Sequence, residues 1–581
     1  MEFKYESLDK VKDIIKTEYL MDDILFVKLT IFFDELISPK PMTIRWLEHI
    51  VDVAGIWAPC FKDNELRANW GKRGIESQLA RYMPQFTYYS ANGNNRYTIC
   101  LDDVKNLIGM ESGIIEENGL FEMEIKLFNT PLKPIDKYEL LIRIDRRDIK
   151  YFDSIKDCKK WWESLGYIPC NVPKSAFDPV YSSWYNFHQN LDQDKLFEEI
   201  KLASTLGFKT LIIDDGWQCD DNNRGYAYTG DWQVTNNKFY DLKKFVSDCH
   251  NLGVKVMVWY SVPFIGRLAN IVEKFKGKYL AFLDWCDAYL LDPRFKEVRD
   301  YLINLYKDAL IKWDLDGFKL DFIDSFYLYE QSSKEYEKMD IVVLEDAVDK
   351  LLKDIYIELS KIKSDVLIEY RQAYVGPLVV SYGNMLRVGD CPYSANTNKR
   401  EIVNLRLTSG ITPVHTDMIM WHKDNPGYDC YRQLYASLFS VPQISVLLKD
   451  LKGEHYQIIK NYLNYYNENK EVLFEGVFTA STPDNGYAWA KSSYKNKDII
   501  ALYNMNSYKI DNDITDIIYL ASNKHIYLEF DLKVEVNVID YLGNNILNNS
   551  FEKGIIRLDI PDSCRINIKK IWCGSWKYII F

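Results

Sequence analysis

Between about residue 180 and residue 416, short apolar runs alternate with longer segments whose apolar residues recur every three or four positions. The first pattern is typical of buried strands in a parallel sheet, and the second predicts amphipathic helices. The predicted strands are residues 180–187, 210–214, 254–260, 288–291, 317–323, 366–371, 385–388 and 411–416. Predicted helices between them include residues 193–206, 242–252, 298–312 and 341–361. Eight such units predict a (β/α)₈ barrel, in which functional side chains lie at the carboxyl ends of the strands.

Two β-rich regions flank this predicted barrel. The first 150 residues contain short β-rich runs broken by Asn/Gly turns, which predicts an antiparallel β-sandwich. After about residue 450, an amphipathic helix precedes alternating strands, which predicts a small C-terminal β-sandwich. We therefore predict an N-terminal β-sandwich domain (1–165), a (β/α)₈ barrel (166–450) and a C-terminal helix with a β-sandwich (451–581).

Composition and charge narrow the function classes. The 581 residues include 72 Lys and Arg against 84 Asp and Glu, a net charge of −12, and no long basic run, so no nucleic-acid partner is expected. The sequence lacks a signal-peptide pattern and any run of about 18 apolar residues, which predicts a cytoplasmic protein that does not contact a membrane. Eleven cysteines without CxxC pairs predict free thiols and no structural metal site. No cofactor is predicted, and a homo-oligomer remains possible.

Adjacent carboxylates follow the second predicted strand. Asp214 and Asp215 come after three aliphatic residues and before Gly216, which permits a turn that could bring both acids to one ligand. Such a pair can bind vicinal hydroxyls, and Trp217 offers an apolar face for sugar C–H groups. The alternative is an Asp-Gly turn followed by a buried Trp.

Two further strand ends carry acids that could do chemistry. Alternation along residues 317–323 places Lys319 and Asp321 on one face, where the cation would keep the acid ionised, as a nucleophile requires. The alternative is a structural ion pair in the barrel. Asp390 follows the seventh predicted strand beside Gly389, a loop position that suits a general acid or a turn-capping residue.

Other polar and aromatic side chains gather at predicted strand ends, although barrel interiors favour branched aliphatic residues. They are Trp184, Trp259, Glu369, Arg371, Arg387, His415, Asp417 and Trp421. Their convergence indicates a functional pocket at this end of the barrel.

The strings DDGWQ, VMVWY, FKLDF and RVGD, in this order and spacing, resemble glycoside hydrolase family 36, the α-galactosidases of the melibiase-type clan. The resemblance covers about residues 178–420 and implies the same order of β-sandwich, barrel and small C-terminal β-domain. It implies retaining double displacement with Asp321 as nucleophile and Asp390 as general acid/base. It also implies substrate-binding roles for Asp214, Asp215, Trp217, Trp259, Lys319 and Arg387.

The sequence departs from the family after the sixth predicted strand. Members commonly have a Cys- and Gly-containing stretch there that recognises the C2 substituent of the sugar, whereas residues 369–377 read EYRQAYVGP. Glu369 and Arg371 are therefore predicted to contact the substrate at a different C2 group or to fill part of the pocket. Residues 325–339, with Tyr327 and Tyr329, are predicted to cover the pocket.

The leading hypothesis is an exo-acting retaining α-galactosidase that acts on small oligosaccharides. Alternatives are an α-glycosidase for another sugar, a transglycosylase of the raffinose-synthase type, and a sugar-binding relative without activity. A metal-dependent barrel hydrolase would use His415, Asp417, Asp214 and Asp321 as ligands. Only 7 His and the absence of an HxH motif argue against that last alternative.

Overall fold

The computed structural model describes residues 2–371 and 376–571, and the first part of the chain forms two packed antiparallel sheets. Their strand orders are β1-β4-β10-β9-β6 and β2-β3-β11-β8-β7-β5. The strands are β1 (Lys4–Ser7), β2 (Val11–Met21), β3 (Ile24–Ile37), β4 (Met42–Glu48), β5 (Gly55–Trp57), β6 (Arg73–Ser77), β7 (Gln85–Tyr89), β8 (Asn95–Leu101), β9 (Ile108–Ile115), β10 (Leu120–Leu127) and β11 (Ile135–Asp145). Alternate apolar residues, such as Met42, Ile44 and Trp46 of β4, point into the shared core. The predicted N-terminal β-sandwich is confirmed.

The central part of the chain forms an eight-stranded parallel barrel, in the order β21-β20-β19-β18-β14-β13-β12-β22. Bridges from residue 415 to residue 441 and from residue 419 to residue 444 join the two ends of this sheet. The strands of this region are β12 (Val180–Ser182), β13 (Thr210–Ile213), β14 (Lys255–Ser261), β15 (Phe264–Gly266), β16 (Tyr279–Leu283), β17 (Ala288–Leu291), β18 (Gly317–Asp321), β19 (Leu367–Arg371), β20 (Met385–Arg387), β21 (Val414–His415) and β22 (Gln443–Ile444).

One predicted barrel strand was wrong. Residues 288–291 form β17, which pairs antiparallel with β15 and β16 in a separate three-stranded sheet. The eighth barrel strand is β22, whose two residues are too short to produce a periodic signal. The first predicted strand also ends early, at Ser182, and Trp184 begins a short helix.

Helices surround the barrel and connect it to its neighbours. They are α1 (Tyr151–Ser164), α2 (Trp184–Phe187), α3 (Gln193–Leu206), α4 (Leu242–Asn251), α5 (Lys296–Trp313), α6 (Leu344–Ile362), α7 (Ala395–Arg406), α8 (Gly427–Tyr435), α9 (Gly453–Glu468) and α10 (Lys470–Glu475). Short 3₁₀ helices occur at Asn69–Gly71, Lys174–Phe177, Asn270–Phe275, Ile323–Ser325, Tyr336–Lys338, Val379–Ser381, Leu448–Asp450 and Asp484–Gly486. Within the described part of the chain, no helix combines the length and apolar character that crossing a membrane requires.

The last part of the chain is a seven-stranded sheet packed on a three-stranded sheet. Their orders are β23-β24-β25-β27-β32-β29-β30 and β26-β28-β31. The strands are β23 (Val477–Ala480), β24 (Trp489–Tyr494), β25 (Lys497–Leu502), β26 (Ser507–Ile510), β27 (Ile514–Tyr519), β28 (His525–Phe530), β29 (Val534–Ile539), β30 (Asn545–Phe551), β31 (Gly554–Asp559) and β32 (Cys564–Lys570). The predicted fold class, a barrel between two β-sandwich regions, is confirmed.

Candidate active site

Asp321 is the last residue of β18 and lies at the carboxyl end of the barrel. Its Oδ2 accepts a hydrogen bond from Trp259 Nε1 at 3.1 Å, and its Oδ1 pairs with the guanidinium of Arg371. The backbone N–H of Phe322 also donates to Oδ1, at 2.8 Å. Both carboxylate oxygens are therefore held in defined directions by groups from three strand ends.

Lys319 lies on the same face of β18 as Asp321 and donates from Nζ to Asp214 Oδ2 at 2.6 Å. Both members of this ion pair are buried. Burial alone would raise the pKa of Asp321, but the positive charges of Arg371 and Lys319 outweigh it and hold that pKa far below its usual range. Asp321 is therefore an ionised carboxylate at neutral pH.

Asp215 is held by two side-chain amides. Gln189 Nε2 donates to its Oδ2 at 2.6 Å and Gln218 Nε2 donates to its Oδ1 at 2.7 Å. Burial raises the pKa of Asp215 to about 6, while these hydrogen bonds act in the opposite direction. The chain turns directly after Asp215, where Gly216 has a φ of +113°. The turn that the sequence suggested is present.

We expect Gly216→Ala to destabilise the protein by about 3 kcal/mol or more, because a Cβ there would lie 2.4 Å from the backbone Cα of Gln189 in addition to the strain of a positive φ. The matched control is Gly207→Ala, where φ is +108° but nothing lies within 4 Å of the added Cβ. That control should cost only about 1–2 kcal/mol. Urea unfolding of both variants measures the difference, and equal losses would contradict the proposed clash.

Aromatic rings form the wall beside these acids. Tyr226 stacks on Trp259, with ring centroids 6.1 Å apart and an interplanar angle of 23°. Trp217 is completely buried, donates from Nε1 to the Trp259 carbonyl at 2.9 Å, and packs edge-on against Tyr260 and Trp313. The structure thus places Trp217 behind Trp259 in the core, in the surroundings that the buried-Trp alternative describes, and does not bring it to the carboxylates.

A second group of charged side chains lies on β19 and β20. Glu369 is fully buried, accepts a hydrogen bond from Gln443 Nε2, and has its Oε1 3.7 Å from Arg387 Nε. Burial raises the pKa of Glu369 to about 7. Arg387 is also buried and donates from Nη1 to Asp417 Oδ1 at 2.6 Å. These two predicted substrate contacts lie inside the barrel, where they contact protein groups.

Asp390 follows β20 in a loop, and its side chain is 59% exposed. Arg387 Nη2 donates to its Oδ1 at 3.1 Å. Partial desolvation acts to raise the pKa of Asp390, but the charges of Arg387 and Arg371 outweigh it and lower that pKa, while the negative charge of Asp321 opposes them. The negative charge of Asp321 therefore acts on the carboxyl group of Asp390.

Arg371 contacts Asp321 and places its guanidinium 5.0 Å from the centroid of the Phe322 ring. Residues 372–375, the centre of the stretch that departs from the family pattern, lie outside the described residues. In the insertion 325–339, Tyr327 contacts Arg81 of the N-terminal sandwich, and Tyr329 lines a cavity of about 390 Å³ that also borders that domain. Coverage of the pocket by this insertion stays a prediction.

The ligand set of the metal alternative is not assembled. His415 Nε2 lies 2.9 Å from the Ala176 carbonyl, and burial lowers the pKa of His415 to about 3. Across residues 2–371 and 376–571, no group of three or more His, Cys, Asp or Glu side chains is arranged to hold a metal ion. Two aromatic residues of the predicted pocket, Trp184 and Trp421, contact histidine rings: Trp184 packs against His188, and Trp421 Nε1 donates to His455 Nδ1.

Several residues at the site escaped prediction from the sequence. They are Tyr185, Gln189, Gln218, Tyr226 and Phe322. Each lies in a loop or short helix of the structure, although Tyr185 and Phe322 fall within the predicted strands 180–187 and 317–323. Gln218, the last letter of DDGWQ, and Phe322, the last letter of FKLDF, stood within the quoted strings but were not assigned a role.

Comparison with known proteins finds related sequences for the barrel region. Residues 174–369 match the Melibiase family. The bifunctional α-galactosidase/sucrose kinase AgaSK of Mediterraneibacter gnavus is 25% identical over 184 residues, which cover 28% of this chain and 18% of that protein. The α-galactosidase AgaA of Geobacillus stearothermophilus is 22% identical over 159 residues, covering 24% of this chain and 20% of that protein. These alignments thus span about a fifth of each relative's length.

Solved structures share the fold over almost the whole chain. AgaA of Geobacillus stearothermophilus in complex with raffinose superposes with a TM-score of 0.65 at 12% identity, covering 98% of this chain and 87% of that one. The galactosidase domain of AgaSK gives a TM-score of 0.66 at 12% identity, covering 98% of this chain and 86% of that one. These likenesses show that the chain shares the fold of the glycoside hydrolase family 36 α-galactosidase AgaA and of the galactosidase domain of AgaSK, and that its residues 174–369 are similar to the Melibiase family.

Proposed function

We propose that this protein hydrolyses terminal α-galactosyl residues of small oligosaccharides with retention of configuration. One observation carries the proposal: Asp321 is ionised and held by Trp259 and Arg371 at the barrel mouth, and its charge acts on the exposed carboxyl group of Asp390. The activity is supported by the Melibiase match and by relatives that are named α-galactosidases.

In the first step, Asp321 attacks the anomeric carbon while the protonated form of Asp390 donates a proton to the departing oxygen, and the lowered pKa of Asp390 places this step in the acidic range of pH. The C1–O bond to the leaving group breaks as the C1–Oδ bond forms, which gives a β-linked glycosyl-enzyme. The hydrogen bond from Trp259 Nε1 holds one oxygen of Asp321 and leaves the carboxylate oriented before substrate arrives.

In the second step, Asp390 removes a proton from water, which attacks C1 and releases the α-anomer. Once Asp321 is esterified, its negative charge is gone. The pKa of Asp390 then falls further, because the charge of Asp321 had acted, together with desolvation, against the two arginines. The same carboxyl group therefore changes from acid to base between the steps.

The hydroxyl groups of the substrate would bind to the acids at the end of β13 and to the lysine of β18. Asp214 and Lys319 form a buried pair that offers both an acceptor and a donor, and Asp215 adds a second carboxylate. The family resemblance assigns these groups to the 4- and 6-hydroxyls of galactose. We propose that the Trp259 ring, partnered by Tyr226, supplies the apolar surface for the sugar C–H groups.

The leaving group would lie on the side of Asp390 that faces Tyr185. Tyr185 lines a cavity of about 230 Å³ together with Trp421, His422 and Ser445. AgaA has been solved with raffinose and with stachyose bound, so oligosaccharides fit a relative with this fold. We propose that the cavity accepts the next sugar of such a chain.

Arg371→Ala should move both limbs of the pH profile of kcat/KM to higher pH, by about 1 unit each. The arginine lowers the pKa values of Asp321 and Asp390, so its removal raises both. The ascending limb requires Asp321 ionised and the descending limb requires Asp390 protonated, so both shift in one direction. Arg371→Lys, which keeps the charge, should shift them less, and unchanged limbs in Arg371→Ala would contradict this electrostatic role.

The proposed function is tested by following wild-type hydrolysis of 4-nitrophenyl α-galactoside by proton NMR. Retention predicts that α-galactose appears first and that the β-anomer follows only by mutarotation. Immediate formation of β-galactose would exclude double displacement. A panel of aryl α-glycosides that differ at C2, C4 and C6 tests which sugar the enzyme accepts. Faster turnover of a C2-modified glycoside than of the galactoside would show that galactose is not the preferred sugar.

A further inference from the structure

Asp417, two residues after β21, is a fully buried carboxylate with three hydrogen-bond donors. Arg387 Nη1 donates to its Oδ1 at 2.6 Å. The Tyr185 hydroxyl and the backbone N–H of Cys391 donate to its Oδ2, at 2.8 and 2.7 Å. These donors come from β20, from α2 and from the loop that carries Asp390, so one side chain ties three separate segments together.

Two of these donors are direct neighbours of Asp390. The amide of Cys391 belongs to the peptide bond that follows Asp390, and Arg387 uses its other terminal nitrogen, Nη2, to hold Asp390 Oδ1 at 3.1 Å. Asp417 therefore contacts the acid's segment both through the backbone and through a shared arginine. Because the Asp390 side chain is 59% exposed, such external contacts are what can define its direction.

A purely structural role is the simpler interpretation of this ion pair. A buried Arg–Asp pair seldom stabilises a protein more than well-packed apolar residues would, so its presence suits a second task. The geometry indicates such a task, because Arg387 donates both to the fully buried carboxylate of Asp417 and to the exposed carboxylate of Asp390.

We propose that Asp417 is the positioning residue of the general acid/base: it fixes the peptide after Asp390 and shares Arg387 with it, which keeps the carboxyl group aimed at the glycosidic oxygen. This inference rests on the proposed function. Asp417 does not touch the substrate in this scheme and acts only through Cys391 and Arg387.

The charges around Asp390 determine in which direction its pKa changes when Asp417 is neutralised. The groups that face Asp390 are Arg387 and Asp417, together with Arg371 of β19, Lys319 and Asp321 of β18, and Tyr185 of α2. The negative charge of Asp417 favours the protonated form of Asp390 directly, and it also competes for Arg387. Neutralising Asp417 leaves more positive charge on Asp390, which lowers the pKa of the acid.

The experiment compares wild type, Asp417→Asn and Tyr185→Phe on phenyl and 2,4-dinitrophenyl α-galactosides. We expect Asp417→Asn to lower kcat about 100-fold for the phenyl substrate, which needs protonation, and under about 10-fold for the dinitrophenyl substrate, which does not. The descending limb of kcat/KM should move to lower pH by about 1 unit. Tyr185→Phe keeps the charge on Asp417, so it should lose less activity and leave that limb in place.

Equal losses on both substrates with an unchanged pH profile would overturn the inference and leave Asp417 a structural residue. A crystal structure of Asp417→Asn provides a readout that does not depend on the substrate: a displaced peptide at Cys391 supports positioning, and an unmoved one contradicts it. If Asp417→Asn does not fold, Asp417→Glu decides the matter, because it keeps the charge but displaces the carboxylate: a larger loss on the phenyl than on the dinitrophenyl substrate supports positioning, and equal losses contradict it. If the wild type turns over no α-galactoside, the proposed function is refuted. The position of the Cys391 peptide in the crystal structure of Asp417→Asn would then still test whether Asp417 positions the loop that carries Asp390.

Discussion

Asp321→Gly should reduce turnover of 4-nitrophenyl α-galactoside by a factor of about 10⁴ or more, because it removes the atom that forms the bond to C1. The structure offers no second carboxylate on β18 at that end of the barrel, since Lys319 and Leu320 precede Asp321 on the strand. Initial rates measured with the purified variant test the expectation. Azide, which fits the space left by the side chain, should restore turnover and yield β-galactosyl azide.

Asp316→Asn is the matched control for the nucleophile. Asp316 directly precedes β18, at the opposite end of the barrel, where it accepts hydrogen bonds from the Val256 backbone at 2.8 Å and from Lys255 at 3.3 Å. Its variant should lose stability and keep its rate per folded molecule, without any response to azide. Full activity in Asp321→Gly would remove the assigned nucleophile and the double displacement with it.

Asp390→Ala should lower kcat/KM by a factor of about 10²–10⁴ for substrates with poor leaving groups, which is the typical contribution of general acid catalysis. With 2,4-dinitrophenyl α-galactoside the first step needs little protonation, so the glycosyl-enzyme should accumulate and give a burst of released phenol. The descending limb of the pH profile should disappear, because the group that titrates there is gone. Burst kinetics and the pH profile together check the role.

Asp365→Ala is the matched control for the acid. The Asp365 side chain is 57% exposed, close to the 59% of Asp390, and it likewise contacts one cation, Lys255 at 3.3 Å. It precedes β19 at the opposite end of the barrel, so its variant should retain both the leaving-group dependence and the pH profile of wild type. A descending limb that persists in Asp390→Ala would assign the acid to another residue.

Local patterns predicted those parts of the fold whose cause is local. The helix at residues 193–206 was predicted with its observed ends, because Asp192 caps its first turn and Gly207, in a left-handed conformation, ends it. Alternation along FKLDF placed Lys319 and Asp321 on one face, and the structure shows both at the same site. These features depend on residues that are near neighbours in the chain.

The errors arise where the outcome depends on a distant partner. Residues 288–291 are as apolar as a barrel strand, and only pairing with β15 and β16 places them outside the barrel. The true eighth strand, β22, has two residues and is recognisable only beside β12. Trp217 follows a turn, so strand alternation no longer indicates its direction, and packing against Trp259 and its neighbours decides it.

By itself the sequence determined the class of fold, the carboxylates that could perform chemistry and the face of each strand on which they lie, because periodicity and turn residues act over a few positions. Only the tertiary structure decided which of those groups meet: Arg371 on Asp321, Arg387 between Asp390 and Asp417, and Trp217 behind Trp259. The reason is physical. Charge and burial depend on side chains brought together from separate strands, and those neighbours exist only when the barrel closes.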